Sequence, residues 1–271
     1  MADAEMPGRT ILITGGAKRV GAHFTRRFWE AGWRVVVHYN SSATAADALV
    51  ADMNAKRPGS AWAFGQNFDN LDAAEGLLNQ VDRAGIKLDA LINNASVFEF
   101  DRPEDIQHAQ LASHAMVNLY IPSLLAESFF KRTPETAAVA PLEETGDEDV
   151  PGAPVVINIL DAKLFGLNPD YFSYTISKFG LLGATRMMAV AFAPRARVCG
   201  IAPGITMVSG EQNQASFEAA HKKNPLGRSS TPEDLFRAAQ MITDTPSMTG
   251  RVIILDGGTS LINQARDVAY L

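Results

Sequence analysis

The sequence predicts an α/β fold: a doubly wound parallel sheet of about seven strands with helices on both faces. Three observations predict it. Short apolar runs of the kind that form buried parallel strands recur roughly every thirty residues. Amphipathic helical patterns separate them, which is the βαβ rhythm. The first run opens directly into a glycine-rich turn and a helix, the context in which a dinucleotide fingerprint has meaning.

The first strand, Thr10–Ile13, runs into the turn 14–21, Thr-Gly-Gly-Ala-Lys-Arg-Val-Gly, and then a helical pattern over 22–31. Gly15 allows the tight turn, and Gly21 lets the helix pack closely on the sheet. With Val20 just before Gly21, the free N–H groups and dipole of the helix start suit a pyrophosphate. The spacing is the longer form Thr-Gly-x-x-x-Gly-x-Gly, with Arg19 in place of the middle glycine. The second strand, Arg34–Tyr39, ends where the adenosine ribose of a dinucleotide lies. An NAD site presents a carboxylate there. This chain presents His38, Tyr39, Asn40, Ser41 and Ser42, with Lys18 and Arg19 nearby in the turn. That set favours a 2′-phosphate, hence NADP.

A helix over 44–57, stopped by Pro58 and Gly59, leads to a strand over 61–64 and then Asn67. A helix over 71–84 leads to a strand over 88–92, followed by Asn93, Asn94, Ala95, Ser96, Val97 and Phe98. Small and amide side chains at a strand's carboxyl end mark where an open α/β sheet binds its ligand. One helical pattern covers 104–131, with Asn118 in its middle; a buried amide there needs partners. Residues 133–154 are rich in Pro, Glu and Asp and read as a solvated surface loop.

The strand over 155–160 delivers Asp161, and thirteen residues later comes Tyr174. Tyr174 and Lys178 lie one turn apart on a helix over 171–193, so phenol and ammonium share a face. A free phenol titrates near ~10; an adjacent cation is expected to lower that towards the range of an acid/base catalyst. A sixth strand over 198–202 ends at Pro203 and Gly204. Residues 205–230 are irregular and expected to form a flap over the substrate. A helix over 233–243, the strand Val252–Leu255 and the turn Asp256-Gly-Gly complete a single expected domain, 1–271.

Composition narrows the function. The chain has 271 residues, 46% hydrophobic and 20% charged, which is ordinary for a globular protein. A net charge of −6 argues against a general nucleic-acid binder. Cys199 is the only cysteine and the five histidines are scattered, so neither an intramolecular disulfide nor a Cys/His metal site is expected. No run is apolar enough to span a bilayer and the N-terminus carries no targeting pattern, so a cytoplasmic protein without membrane partners is expected.

Thr14, Gly15 and Gly21, Asn93-Asn-Ala, Asn118, Tyr174-x-x-x-Lys178, Pro203-Gly204 and Asp256-Gly-Gly stand in one order and spacing. In that, residues 10–260 resemble the short-chain dehydrogenase/reductases. The resemblance implies a Rossmann-fold NAD(P) oxidoreductase, usually a homotetramer. Tyr174 is then the proton donor, Lys178 holds the nicotinamide ribose and lowers the phenol's pKa, and Asn118 helps hold a water. Where that family has a serine at the end of the fifth strand, this chain has Asp161. With Arg19, Ser96 and Phe98, that departure resembles the pteridine reductases. In that subgroup the arginine reaches phosphates and pterin, the phenylalanine stacks on the pterin, and Ser96's counterpart bonds the cofactor or the pterin edge. Asn67 stands where the family commonly bonds the adenine amino group through an aspartate.

The expected reaction is thus NADPH-dependent reduction of a dihydropterin or dihydrofolate, with an Asp161–Tyr174–Lys178 relay delivering the proton. Each residue alone has a plainer reading: Asp161 as a cap or turn former, Phe98 as core, Arg19 as a phosphate ligand only. A carbonyl or 3-oxoacyl reductase is the alternative in the same class. A non-catalytic NADPH-binding protein is the alternative outside it.

Overall fold

Alternate residues of each apolar strand face opposite sides of the sheet, so one strand feeds two cores. In the computed structural model of the protein, residues 8–137, 152–208, 217, 221–262 and 264–267 are described. Their strands are β1 (Thr10–Ile13), β2 (Arg34–Tyr39), β3 (Ala61–Gly65), β4 (Ala90–Asn93), β5 (Val155–Ile159), β6 (Arg197–Pro203) and β7 (Val252–Leu255). They form one seven-stranded sheet in the order β3-β2-β1-β4-β5-β6-β7, and every pairing is parallel.

The principal helices are α1 (Arg19–Glu30), α2 (Ala43–Lys56), α3 (Ala73–Arg83), α4 (His108–Ala115), α5 (Ile121–Arg132), α6 (Phe172–Phe192) and α7 (Pro232–Asp244). Ile11 and Ile13 pack with Phe24 and Phe28 of α1 and Leu235 and Phe236 of α7. Leu12, between them in sequence, packs with Leu77 and Leu78 of α3 and Leu125 and Phe129 of α5 on the other face. Burying a side chain of this size contributes roughly 1.5–3 kcal/mol. Helices therefore cover both faces, as expected.

β1 pairs with β2 on one side and β4 on the other. The chain winds outward to β3, then returns to β4 and winds the other way. Connections leave the β1 and β4 carboxyl ends in opposite directions, which opens a crevice there. That crevice positions the site.

Among the boundaries that differ from the sequence expectation, three shape the site. The single helix over 104–131 is instead α4, a π-turn over Met116–Tyr120, and α5. Ile121 N–H donates to the Met116 carbonyl five residues back. Pro122 has no N–H to give the carbonyl four residues before it, that of Asn118, so the α-helical ladder is interrupted there. β5 ends at Ile159, and Asp161 instead N-caps a 3-10 turn, Ala162–Phe165. α6 begins at Phe172, with Tyr171 before it in the left-handed region at φ 54°. Most of the expected acidic loop (138–151) and of the expected flap (209–216 and 218–220) lies outside the described residues.

Candidate active site

The glycine turn after β1 is held open from three sides. Gly15, at φ 63°, donates its N–H to His38 Nδ1 at 3.1 Å. His38 Nε2 lies 2.9 Å from the Gln66 carbonyl, so the ring is neutral, accepting at Nδ1 and donating at Nε2. Burial pushes its pKa down to about 4, and its ring stacks on Phe68 at 4.2 Å. Thr14 Oγ1 accepts the Asn94 and Ala95 N–H groups at 2.9 Å each, and Asn94 Nδ2 donates to the Thr14 carbonyl at 2.8 Å. A Cβ on Gly21 would stand 2.0 Å from the Gly15 carbonyl oxygen, so no side chain fits there. Lys18 caps α1 without a side-chain hydrogen bond, and the first turn carries no acid. The N–H groups of that turn are left for an anion.

These residues line a cleft of about 430 Å³ at the β1–β4 crevice. Gly15, Lys18, Arg19, Val20, Gly21, His38, Tyr39, Asn40, Ser41, Ser42, Asn67, Asn94, Ala95 and Ser96 are all in its wall. Two cations and no carboxylate line it, so size and charge suit an anionic dinucleotide with a further phosphate. Both ring nitrogens of His38 are engaged by the backbone, so it braces the turn and offers the cleft no polar atom. Arg19 sits at φ 53°, the conformation a glycine adopts at no cost; an arginine there is strained by roughly 1–2 kcal/mol. Pro203 and Gly204 lie elsewhere, at the carboxyl end of β6. There Gly204 N–H donates to the Leu255 carbonyl, and a Cβ would stand 2.5 Å from Ser229 Oγ.

The acid/base groups meet where β5, α6 and the π-turn converge. Tyr174 Oη donates to Asp161 Oδ2 at 2.8 Å. The other carboxylate oxygen accepts the Lys163 N–H at 2.8 Å, so Asp161 is both a cap and the partner of the phenol. Lys178, buried, donates to the Ile159 carbonyl at 2.8 Å, and its Nζ stands 5.6 Å from the Tyr174 ring centroid. Asn118 is fully satisfied: Oδ1 accepts from Ser96 Oγ (3.0 Å) and Val97 N–H (2.9 Å). Its Nδ2 donates to the Val97 carbonyl (2.9 Å) and Ser177 Oγ (3.2 Å).

The electrostatics correct one expectation. The phenol of Tyr174 is held well above its ordinary range, by burial first and then by the Asp161 carboxylate. It is not lowered by Lys178. The aspartate, hydrogen-bonded to the hydroxyl, is the nearer charge. Burial also raises Asp161 and brings Lys178 down to about 8. Burial thus favours the protonated form of both acids.

Phe98 is 40% exposed, so it is not core. Its ring stacks on Tyr171 at 4.1 Å and meets the Tyr174 ring edge-on at 4.7 Å. Phe100 meets Tyr171 edge-on at 5.3 Å. An aromatic wall therefore stands beside the Asp161–Tyr174 pair, and a flat aromatic ligand gains stacking energy from it.

A family model described as enoyl-(acyl carrier protein) reductase matches residues 15–260 of this chain. The chain belongs to the short-chain dehydrogenase/reductase family. A crystal structure of FolM alternative dihydrofolate reductase 1 from Brucella canis, complexed with NADP, superposes with a TM-score of 0.85 at 33% identity, covering 98% of this chain and 99% of that one. Pteridine reductase 1 of Leishmania tarentolae is 27% identical over 92% of this chain and 96% of its own length. A 3-oxoacyl-[acyl-carrier-protein] reductase of Synechocystis sp. is 26% identical, over 93% and 97%. The chain is an oxidoreductase by family, and the pteridine-reductase resemblance stands.

Within this short-chain dehydrogenase/reductase, sequence reasoning missed Tyr171, Lys163 and Ser177. Tyr171 lies one turn before Tyr174, and that spacing was its only signal. Ser177 could have been found as the neighbour of Lys178 on the buried face of α6. Lys163 carries no motif; only the 3-10 turn brings its N–H to Asp161.

Proposed function

We propose that this protein is an NADPH-dependent reductase of a pterin-type ring, converting a dihydropterin or dihydrofolate to the tetrahydro form. The observation that carries the reading is Asp161 hydrogen-bonded to Tyr174 beside the exposed ring of Phe98. The cleft fits NADPH: the first turn of α1 takes the pyrophosphate, and Lys18, Arg19, Ser41 and Ser42 take the 2′-phosphate. Asn67 takes the adenine amino group, and Lys178 holds the nicotinamide ribose. The FolM relative is complexed with NADP, which supports NADPH as the cofactor. Bound NADPH supplies the hydride that reaches a ring carbon.

The chain's own residues then supply the proton. Tyr174 gives its proton to the ring nitrogen, and Asp161, whose pKa burial raises, passes a proton on to it. The Lys178 ammonium offsets the negative charge left on the pair. Phe98 stacks on the substrate, Ser96 bonds its edge, and Arg19 reaches from the phosphates to the pterin. The serine that serves a substrate carbonyl elsewhere in the family is replaced here by Asp161, and that disfavours a carbonyl substrate.

A 3-oxoacyl reductase is the second reading, supported by the Synechocystis relative. Absorbance-monitored NADPH oxidation, with a dihydropterin, dihydrofolate and a ketone and 3-oxoacyl panel in parallel, separates the two. The pterin reading expects turnover on the dihydropterin that vanishes in Tyr174→Phe. Turnover confined to ketones or 3-oxoacyl thioesters overturns it. The protein is further proposed to be cytoplasmic and a homotetramer. No described helix is long and apolar enough to cross a membrane. One face of α6 carries Ile176, Phe179, Met187 and Val190 exposed, the last two at 74% and 82%.

A further inference from the structure

Nearly a hundred residues separate Asp170 from the C-terminal segment, yet the two are bound together beside the aromatic wall. The Asp170 side chain is fully buried. Its carboxylate accepts from Arg266 Nε at 2.8 and 3.1 Å and from the Asp267 N–H at 2.8 Å, and Arg102 Nε stands 3.8 Å away. A buried carboxylate is tolerated only with such partners. Asp267 then turns its own carboxylate towards Lys163, with Oδ2 3.4 Å from Nζ. Lys163 Nζ also donates to the Asp170 carbonyl and lies 5.3 Å from the Tyr171 ring centroid.

We propose that Arg266 and Asp267 form a positioning clasp for the substrate wall, holding the 161–171 loop so that Tyr171, Phe98 and Asp161 keep the arrangement that binds and protonates the substrate ring. Both ends of that loop are functional. Asp161, at its start, takes the backbone N–H of the residue whose side chain Asp267 engages. Tyr171, at its end, follows the residue that Arg266 grips and is the face on which Phe98 stacks. Tyr171 holds a left-handed backbone that a bulky side chain does not keep unaided. Pinning Asp170 fixes that conformation from the preceding residue. The clasp reaches the acid by charge as well. The charged groups acting on Asp161 are Asp267, which raises its pKa, and Lys178, which lowers it. Those acting on Lys163 are Asp267, Asp161 and Asp170. Arg266 and Asp267 are positioning residues that act through Asp170 and Lys163.

The inference rests on the pterin-reductase reading for its kinetic arm only. Full-length Arg266→Ala, Arg266→Lys and Asp267→Asn are compared with the wild type. Arg266→Ala is expected to raise KM for the dihydropterin about tenfold while KM for NADPH moves by less than about twofold. Arg266→Lys is expected to restore most of that loss. Asp267→Asn is expected to move the descending limb of the pH–rate profile to lower pH, because a charge that raised the acid's pKa is gone. Deuterium exchange of the 162–172 amides, which needs no substrate, is expected to rise in Arg266→Ala. Unchanged exchange there, or a lowered Tm with unchanged KM and pH profile, overturns the clasp and leaves a simple structural brace. If the wild type reduces only ketones, the pterin reading fails, while the exchange experiment and KM for the ketone still decide the clasp.

Discussion

Asp161 divides its two carboxylate oxygens between the Lys163 amide and the Tyr174 hydroxyl, while burial disfavours its charged form. A raised pKa means the proton is bound at low pH and lost as pH rises. kcat/KM on the dihydropterin is therefore expected to be flat on the acid side and to fall as the pH rises. The Lys178 ammonium, whose pKa burial brings down to about 8, is also lost as the pH rises and adds to the fall. A profile that instead rises with pH would contradict a proton-storing pair. His38 works in the opposite direction. Its folded pKa lies near 4 against an ordinary 6.5, so its contribution is fully present above about 6.5 and lost as pH falls towards 4. That depression is on the order of 3 kcal/mol. The stability difference between wild type and His38→Gln, from urea unfolding, is expected to shrink from pH 7 to pH 4.5. A difference independent of pH would contradict a buried neutral imidazole. The bracing role of His38 follows from no motif. His38 had signal enough to be placed at the cleft, but its two backbone partners come from separate elements that no local pattern links.

The turn between β1 and α1 was legible in sequence because backbone geometry demands particular residues there. Gly21 has the carbonyl of Gly15 where a Cβ would be. Gly21→Ala is expected to cost at least about 1–3 kcal/mol from overpacking and to abolish NADPH binding, measured by thermal unfolding with and without the nucleotide. An alanine variant with wild-type Tm and nucleotide affinity would contradict that packing. The strands were legible as well, to within two residues at each end, since a doubly buried strand must be apolar throughout. The π-turn was not. Met116–Tyr120 lies inside a pattern that continues smoothly across it, and the cue, Pro122, is compatible with the start of an ordinary helix. The π-turn carries Asn118, whose Oδ1 and Nδ2 tie the Ser96–Val97 segment to Ser177 of α6. The residues between Asp161 and Tyr171 were equally illegible. Their conformation depends on Arg266 and Asp267, a tertiary contact with no local signature.

At the scale of the molecule, one sheet with a core on each face leaves α6 half used. Its inner face holds Tyr174 and Lys178, while Met187 and Val190 stand open on the outer one. A stripe of that kind marks an association surface. Val190→Asp is expected to shift the sedimentation profile from tetramer towards smaller species, and a wild type that sediments as a monomer would contradict the assembly. Family and cofactor were readable in sequence because the cofactor cleft sits at strand ends, where the winding of the sheet alone fixes its neighbourhood. The wall beyond them belongs to loops and to the C-terminal segment. The measurement that bears most directly on the central claim is the rate of dihydropterin reduction by Asp161→Ser, with NADPH affinity measured alongside. The account predicts a loss of roughly a hundredfold or more in kcat, with NADPH affinity unchanged. A serine variant that reduces the dihydropterin at the full wild-type rate would contradict it.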